Sequence, residues 1–255
     1  MGIKINQLLQ KLPKGAVATD YWLKKNGISN DLKRRYIASK WLEYLGRGAS
    51  KRHGDAIDWP GALWGLLQQE TKLHIGGKTA LGLQGLAHYM RKDEAIDLFT
   101  QHSKKLPQWF YRIVDKKKIH LIDDTFLSTH LGIFDLAVEG LMIPTSRPER
   151  AILEQIYLIG KYETFEETSL LMETLTSLQP SLVQQLLELC TSIKVKRVFL
   201  FLSEYHSQAW FKKLRIDQID LGSGKRQIVS NGALNKKYNI TVPKGFINEH
   251  EKSLY

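Results

Sequence analysis

The chain has a single cysteine, Cys190, in 255 residues, which excludes an internal disulfide and a cysteine zinc cluster. It closes the apolar pattern Leu186-Leu187-Glu188-Leu189-Cys190, where a core thiol on a helix is expected. No apolar run approaches the ~18 residues that a membrane span requires. The opening Met1-Gly2-Ile3-Lys4-Ile5-Asn6 has no charged-then-apolar signal region, so a cytoplasmic protein with no membrane partner is expected. Gly2 would suit myristoylation, but position 6 is Asn rather than Ser or Thr. Enzyme signatures are equally scarce. The eight histidines never stand four apart, and neither His-Glu-x-x-His nor Gly-x-Ser-x-Gly occurs. No internal repeat or low-complexity segment is present. The expectation is a binding protein with no cofactor, metal or catalytic residue.

What is present is positive charge, concentrated at one end. Residues 1–53 hold twelve Lys or Arg against three acids, a net +9, while the whole chain carries +11. Such a field attracts polyanions and speeds encounter with them. The other 202 residues are close to balance at +2, so the two parts are expected to do different jobs. With 43% hydrophobic and 25% charged residues, both parts can bury a core.

The first residues spell a helix-turn-helix. Ile5, Leu8, Leu9 and Leu12 recur at helical spacing until Pro13 and Gly15 end the helix. Thr19 is a good N-cap for a short second helix over Asp20–Lys25, and Asn26-Gly27 closes it. Ser29 caps a third helix from Asn30 to about Lys40, with Leu32 and Tyr36 facing the core. Asn30, Lys33, Arg34 and Lys40 then face largely outward, as a recognition helix requires. Trp41–Leu45, a Gly46-Arg47-Gly48 turn and Ala49–Arg52 read as a hairpin, a wing with Arg47, Lys51 and Arg52 at or near its tip. The candidate DNA-binding residues are Ser29, Asn30, Lys33, Arg34, Lys40, Arg47, Lys51 and Arg52.

Farther on, Asp58 caps a helix with Pro60 in its first turn. Leu73–Ile75 reads as a strand, Gly77–Gly85 as a helix and Leu86–Met90 as a strand. The polar stretch 91–95 is the candidate boundary, dividing the chain into domains 1–92 and 93–255. Strands follow around 95–100, 118–122 and 134–142. Helices are expected from 146–147 to about Ile159, and from Phe165 to Cys190 with a break at Pro180. Val198–Leu202 reads as a buried strand, and Ile216–Leu221 with Arg226–Val229 as a hairpin around Gly222-Ser223-Gly224. The fold class is α+β: an N-terminal winged helix-turn-helix over about residues 1–55, then a mixed α/β C-terminal domain.

Gly76-Gly77-Lys78-Thr79 looks like the end of a phosphate-binding loop, but Lys72 stands where the loop's first glycine belongs. A glycine-rich helix entry is the better reading. Gly222-Ser223-Gly224-Lys225-Arg226 departs further, with Ile219 in the glycine position. Trp109-Phe110-Tyr111 could stack on bases, though packing is the default for such a cluster. Asp123, Asp135 and Glu139 support an alternative, a metal-dependent nuclease delivered by the winged helix.

The order of segments resembles the AbiEi family of antitoxins from abortive-infection toxin–antitoxin operons. The resemblance rests on the winged helix with its Gly46-Arg47-Gly48 wing and on Gly77-Lys78-Thr79-Ala80-Leu81 through Ala87-His88-Tyr89. It rests equally on Ser146-Arg147-Pro148-Glu149-Arg150-Ala151-Ile152-Leu153, on Asp220–Arg226 and on Tyr238-Asn239-Ile240-Thr241-Val242-Pro243. It implies a repressor that binds inverted repeats of double-stranded operator DNA in its own promoter. It implies further a C-terminal domain that counteracts a separately encoded, nucleotidyltransferase-like toxin. The family's DNA-contacting positions map to Lys33, Arg34, Arg47 and Lys51 or their immediate neighbours, and no enzymatic residue carries over.

Overall fold

A computed structural model describes residues 2–69, 71–87, 95–101, 105–115 and 118–247. Helix α1 (Gly2–Lys11), β1 (Val17–Thr19), α2 (Asp20–Lys25), α3 (Asn30–Ala38), β2 (Leu42–Gly46) and β3 (Ala49–Arg52) follow in that order. The three strands form one antiparallel sheet with β3 in the middle. Three helices, a three-stranded sheet and a hairpin directly after the third helix make a winged helix. Its core is Leu8, Leu12, Val17, Trp22, Leu23, Ile28, Tyr36 and Leu42, all buried.

Then come α4 (Trp59–Leu67), β4 (Leu73–Ile75), α5 (Gly77–Leu83), β5 (Ile96–Thr100), α6 (Gln108–Ile113), β6 (Ile119–Asp123), β7 (Ile133–Val138) and β8 (Leu141–Ser146). Asp58 is the N-cap of α4, as its position before Pro60 foretold. That helix lies so close to the turn before β1 that a Cβ on Gly61 would stand 1.8 Å from the Gly15 carbonyl oxygen. The chain ends in α7 (Pro148–Leu158), α8 (Phe165–Thr174), α9 (Pro180–Leu189), α10 (Ile193–Tyr205), β9 (Arg226–Gln227), β10 (Ala233–Asn235) and β11 (Ile240–Val242).

These elements form two compact units that interleave along the chain. The first comprises Met1–His74, Asp93–Asp123 and Asp135–Pro144; the second comprises Ile75–Lys92, Asp124–Phe134 and Thr145–Tyr255. A five-stranded sheet runs in the order β6-β5-β4-β8-β7, with β5 and β6 parallel over a five-residue register. The polar stretch read as a boundary lies, apart from Ala95, outside the described residues.

Four sequence expectations change. Val198–Leu202 is the middle of α10, not a strand. Every residue from Val195 to Ser203 is buried, and an apolar run buried all round has no periodicity to separate helix from strand. Residues 134–142 are two strands, because Glu139 and Gly140 take φ of 50° and 80° and turn the chain into a hairpin. Leu86 and Ala87 are irregular, and the rest of that expected strand lies outside the described residues. Ile216–Gln218 is a 3-10 turn, and Arg226–Gln227 pairs instead in parallel with β11.

Arg150 organises the second unit. Its guanidinium is wholly buried, donating to Asp124, to Glu154 at 2.7 Å, and to the carbonyls of Leu127, Thr129 and Leu131. Glu154 also accepts from the Gly77 amide at 3.1 Å, and Gln155 accepts from the Lys78 amide at 2.9 Å. The α5 entry is thus docked on α7 by its own amides, and the Lys78 ammonium pairs with Glu167. Arg197 does similar work at Gly222-Ser223-Gly224, donating to the carbonyls of Leu221, Gly222, Gly224 and Asn239. The glycine-rich turn is therefore wrapped around a buried arginine. Cys190 is buried, and loss of hydration pushes its thiol up to about 11, so it stays protonated and inert.

His206 bonds through Nε2 to the Ser169 hydroxyl at 2.8 Å, and burial lowers its pKa despite opposing effects of Glu173 and Ser169. A folded value below the ordinary 6.5 means the fold favours neutral imidazole. That stability is complete above the unfolded value and is lost as the pH falls through the folded one. Urea midpoints at about pH 7.5 and about pH 5 are expected to fall further for wild type than for His206→Gln. Equal shifts would show that His206 contributes nothing to the acid sensitivity.

Candidate DNA interface

The angle between α2 and α3 is set by the four residues joining them. Thr19 caps α2 by accepting from the Trp22 amide at 3.3 Å. At its far end the Gly27 amide reaches the Lys24 carbonyl and the Ile28 amide reaches the Leu23 carbonyl, at 3.0 and 2.9 Å. This paired closure requires a left-handed residue, supplied by Gly27 at φ 76°. Ile28 is buried and anchors the turn, and Ser29 starts α3 by accepting from the Leu32 amide at 3.2 Å. A recess of about 600 Å³ opens here, lined by Asp20, Tyr21, Lys24, Gly27, Ile28, Ser29 and Asn30.

The eight candidate residues divide into two groups. Ser29, Asn30, Arg34, Lys40 and Arg47 are exposed. Arg34 lies 3.5 Å from Asp31 with both side chains 80% exposed, a water-screened contact that leaves the guanidinium free to reorient. Arg47 sits in the turn between β2 and β3. Lys33, Lys51 and Arg52 are instead held by the protein. The Lys33 ammonium pairs with Asp20 and ties α3 to α2. Lys51 pairs with Glu43 at 3.3 Å and donates to the Asp55 carbonyl at 2.8 Å. Arg52 donates to the carbonyls of Leu9 and Leu12, both at 2.7 Å. It neutralises the last turn of α1. Its partner across the hairpin is Leu42, so it stands at the base of the wing.

Lys40 does not belong to the helix. α3 ends at Ala38, and Lys40 takes φ 57° just beyond it. Its amide bonds to the Ile37 carbonyl and the Trp41 amide to the Tyr36 carbonyl, the same closure that Gly27 performs for α2. A lysine in this conformation carries strain of about 1 kcal/mol relative to glycine. Lys40→Gly is therefore expected to raise stability by roughly 1 kcal/mol. If Lys40 touches phosphate, the same variant weakens DNA binding. Chemical denaturation and DNA titration of one protein test both, and a variant that is less stable would refute the strain argument.

Three further exposed residues in these segments are not among the candidates. Arg35 follows Arg34 on α3, Trp41 is 46% exposed, and Tyr44 on the wing is 57% exposed. The Arg34-Arg35 doublet was the available signal for the first. The strand expected over Trp41–Leu45 is one that buries Leu42 or its neighbours; Leu42 is the buried one, while Tyr44 in β2 and Trp41 just before it are exposed. Trp109 and Phe110, by contrast, are buried, which is the packing role expected of them.

The carboxylates considered for a nuclease do not converge. Asp123 ends β6 and Asp135 lies in β7, the two opposite edges of the five-stranded sheet. Four strand spacings of ~4.8 Å put them about 19 Å apart, too far to share a metal ion. Glu139 is in the exposed hairpin turn beyond β7.

The arrangement defines a winged-helix protein with a basic third helix and a basic wing tip. The family model described as "Transcriptional regulator, AbiEi antitoxin N-terminal domain" matches residues 1–92. A second, "Transcriptional regulator, AbiEi antitoxin, Type IV TA system", matches residues 93–243. The chain belongs to the AbiEi antitoxin family of transcriptional regulators in type IV toxin–antitoxin systems. Among solved structures, the crystal structure of the RV2827C protein from Mycobacterium tuberculosis shares the fold. Its TM-score is 0.61 at 14% identity over 92% of this chain and 88% of that one. No curated protein matches the sequence. Among the described residues, no helix is long and apolar enough to cross a membrane.

Proposed function

We propose that this protein represses its own operon by binding inverted repeats in the promoter, and counteracts a nucleotidyltransferase-like toxin encoded beside it. The observation that carries the first half is the exposed set Ser29, Asn30, Arg34, Lys40 and Arg47 in and around α3 and the wing turn; among the described residues no side-chain partner competes for Arg47 or Lys40. In this reading Asn30 and Arg34 reach base edges or phosphates in the major groove, and Lys40 and Arg47 contact phosphate. Lys33, Lys51 and Arg52 position the helix and the wing. Family membership supports the second half.

The test uses the full-length protein. A fluorescent duplex of its own promoter is expected to bind far more tightly than a scrambled duplex of equal length, with affinity falling steeply as salt rises. A reporter driven by that promoter should be silenced by the protein. The product of the neighbouring gene should arrest growth unless the protein is co-expressed. Equal affinity for promoter and scrambled DNA would refute autoregulation. Growth arrest that the protein does not relieve would refute antitoxicity towards that gene.

A further inference from the structure

The near-neutral balance of residues 54–255 conceals a second basic concentration. Residues 104–118 hold six Lys or Arg and one Asp, a net +5, and this stretch contains α6. In the first unit α6 packs on the outer strand of the wing. A Cβ on Gly46 would stand 2.9 Å from the Trp109 Cβ, so only glycine permits the approach. Arg112, one turn of chain beyond Trp109, donates from Nη1 to the Leu45 carbonyl at 3.3 Å. Its guanidinium lies 3.5 Å from the Cβ position of Gly46, the residue before Arg47.

Arg112 is exposed, as is Lys105 ahead of the helix. A guanidinium carries five N–H donors, and the Leu45 bond takes one while fixing its position. Two arginines are thereby brought to the same end of the wing, an arrangement that like-charge repulsion opposes and a polyanion relieves.

We infer that α6 is a third DNA-contacting element, with Arg112 gripping a backbone phosphate beside the one held by Arg47. This rests on the reading of the winged helix as the DNA binder. It extends the interface into the region matched by the second family model. The contact is with phosphate, so it adds affinity without sequence preference.

Full-length Arg112→Ala, Arg112→Lys and Arg47→Ala proteins test this, titrated with promoter and scrambled duplexes over a salt series. Arg112→Ala is expected to weaken both duplexes equally, by about three- to tenfold near 0.15 M salt, and to reduce the slope of log affinity against log salt by about 1. Arg112→Lys keeps the slope. If Arg47→Ala weakens binding and Arg112→Ala does not, the inference fails and the winged-helix reading stands. If neither changes affinity, that reading fails first. A loss confined to promoter DNA, with an unchanged salt slope and a lowered melting temperature, would make Arg112 a support for the wing only and overturn the inference.

Discussion

Replacing Arg150 with alanine is expected to destabilise the protein by about 3–5 kcal/mol, the cost of leaving buried carboxylates without their cation. The arginine is entirely inaccessible to solvent, and it faces Asp124 and Glu154, which are 1% and 0% exposed. It also accounts for hydrogen bonds to three carbonyls of the Leu127–Leu131 segment. Removing the side chain strips partners from five acceptors and opens a cavity, effects that act in the same direction. Arg150→Met fills much of the volume and isolates the electrostatic loss. Combining it with Asp124→Asn removes one stranded charge and is expected to recover part of the stability. Denaturant unfolding of the three proteins provides the numbers. A loss below about 1 kcal/mol for Arg150→Ala would mean that water enters and solvates the carboxylates.

The double variant Arg34→Ala/Arg47→Ala is expected to lose promoter repression while keeping its fold and its rescue of toxin-arrested cells. Both side chains project into solvent, and surface substitutions of that kind change stability by no more than ~0.5 kcal/mol. On DNA the loss is much larger. A residue that reads a base contributes on the order of 1–3 kcal/mol on the operator alone. One that holds phosphate weakens all duplexes and flattens the salt dependence by about one unit. Titration of promoter and scrambled DNA with the two single variants therefore assigns each arginine separately. Lys33→Ala behaves differently, since its ammonium is spent on Asp20. It loosens the helix-turn-helix, and Asp20→Asn reproduces much of its effect. Rescue lost together with repression in Arg34→Ala/Arg47→Ala would mean that DNA binding and antitoxicity use one surface.

How legible the fold was depended on the kind of signal. Thr19, Ser29 and Asp58 are observed N-caps, and Asn26-Gly27 is the observed stop. Capping is chemistry between residues a few positions apart, so it is written locally. Lys40 escaped because the left-handed closure after α3 uses lysine where the pattern language expects glycine. Val198–Leu202 escaped because complete burial erases periodicity. Arg197 gave no sign of holding the Gly222–Gly224 turn, since its four carbonyl partners lie 24 to 42 positions away.

The sequence alone determined the winged helix, the concentration of charge at the N-terminal end and the departure of Gly76–Thr79 from the phosphate-loop pattern at Lys72. Each depends on residue type and spacing within a few turns of chain. The tertiary structure decided which basic residues remain available. Lys33, Lys51 and Arg52 are as cationic as Arg34 and Arg47, yet the fold turns them inward onto Asp20, Glu43 and the end of α1. It also separated Asp123 from Asp135 across the width of a sheet, and set Arg112 beside a wing 67 residues earlier in the chain. Charge is a property of a residue, but whether that charge faces a partner or the solvent depends on distant segments that only folding brings together.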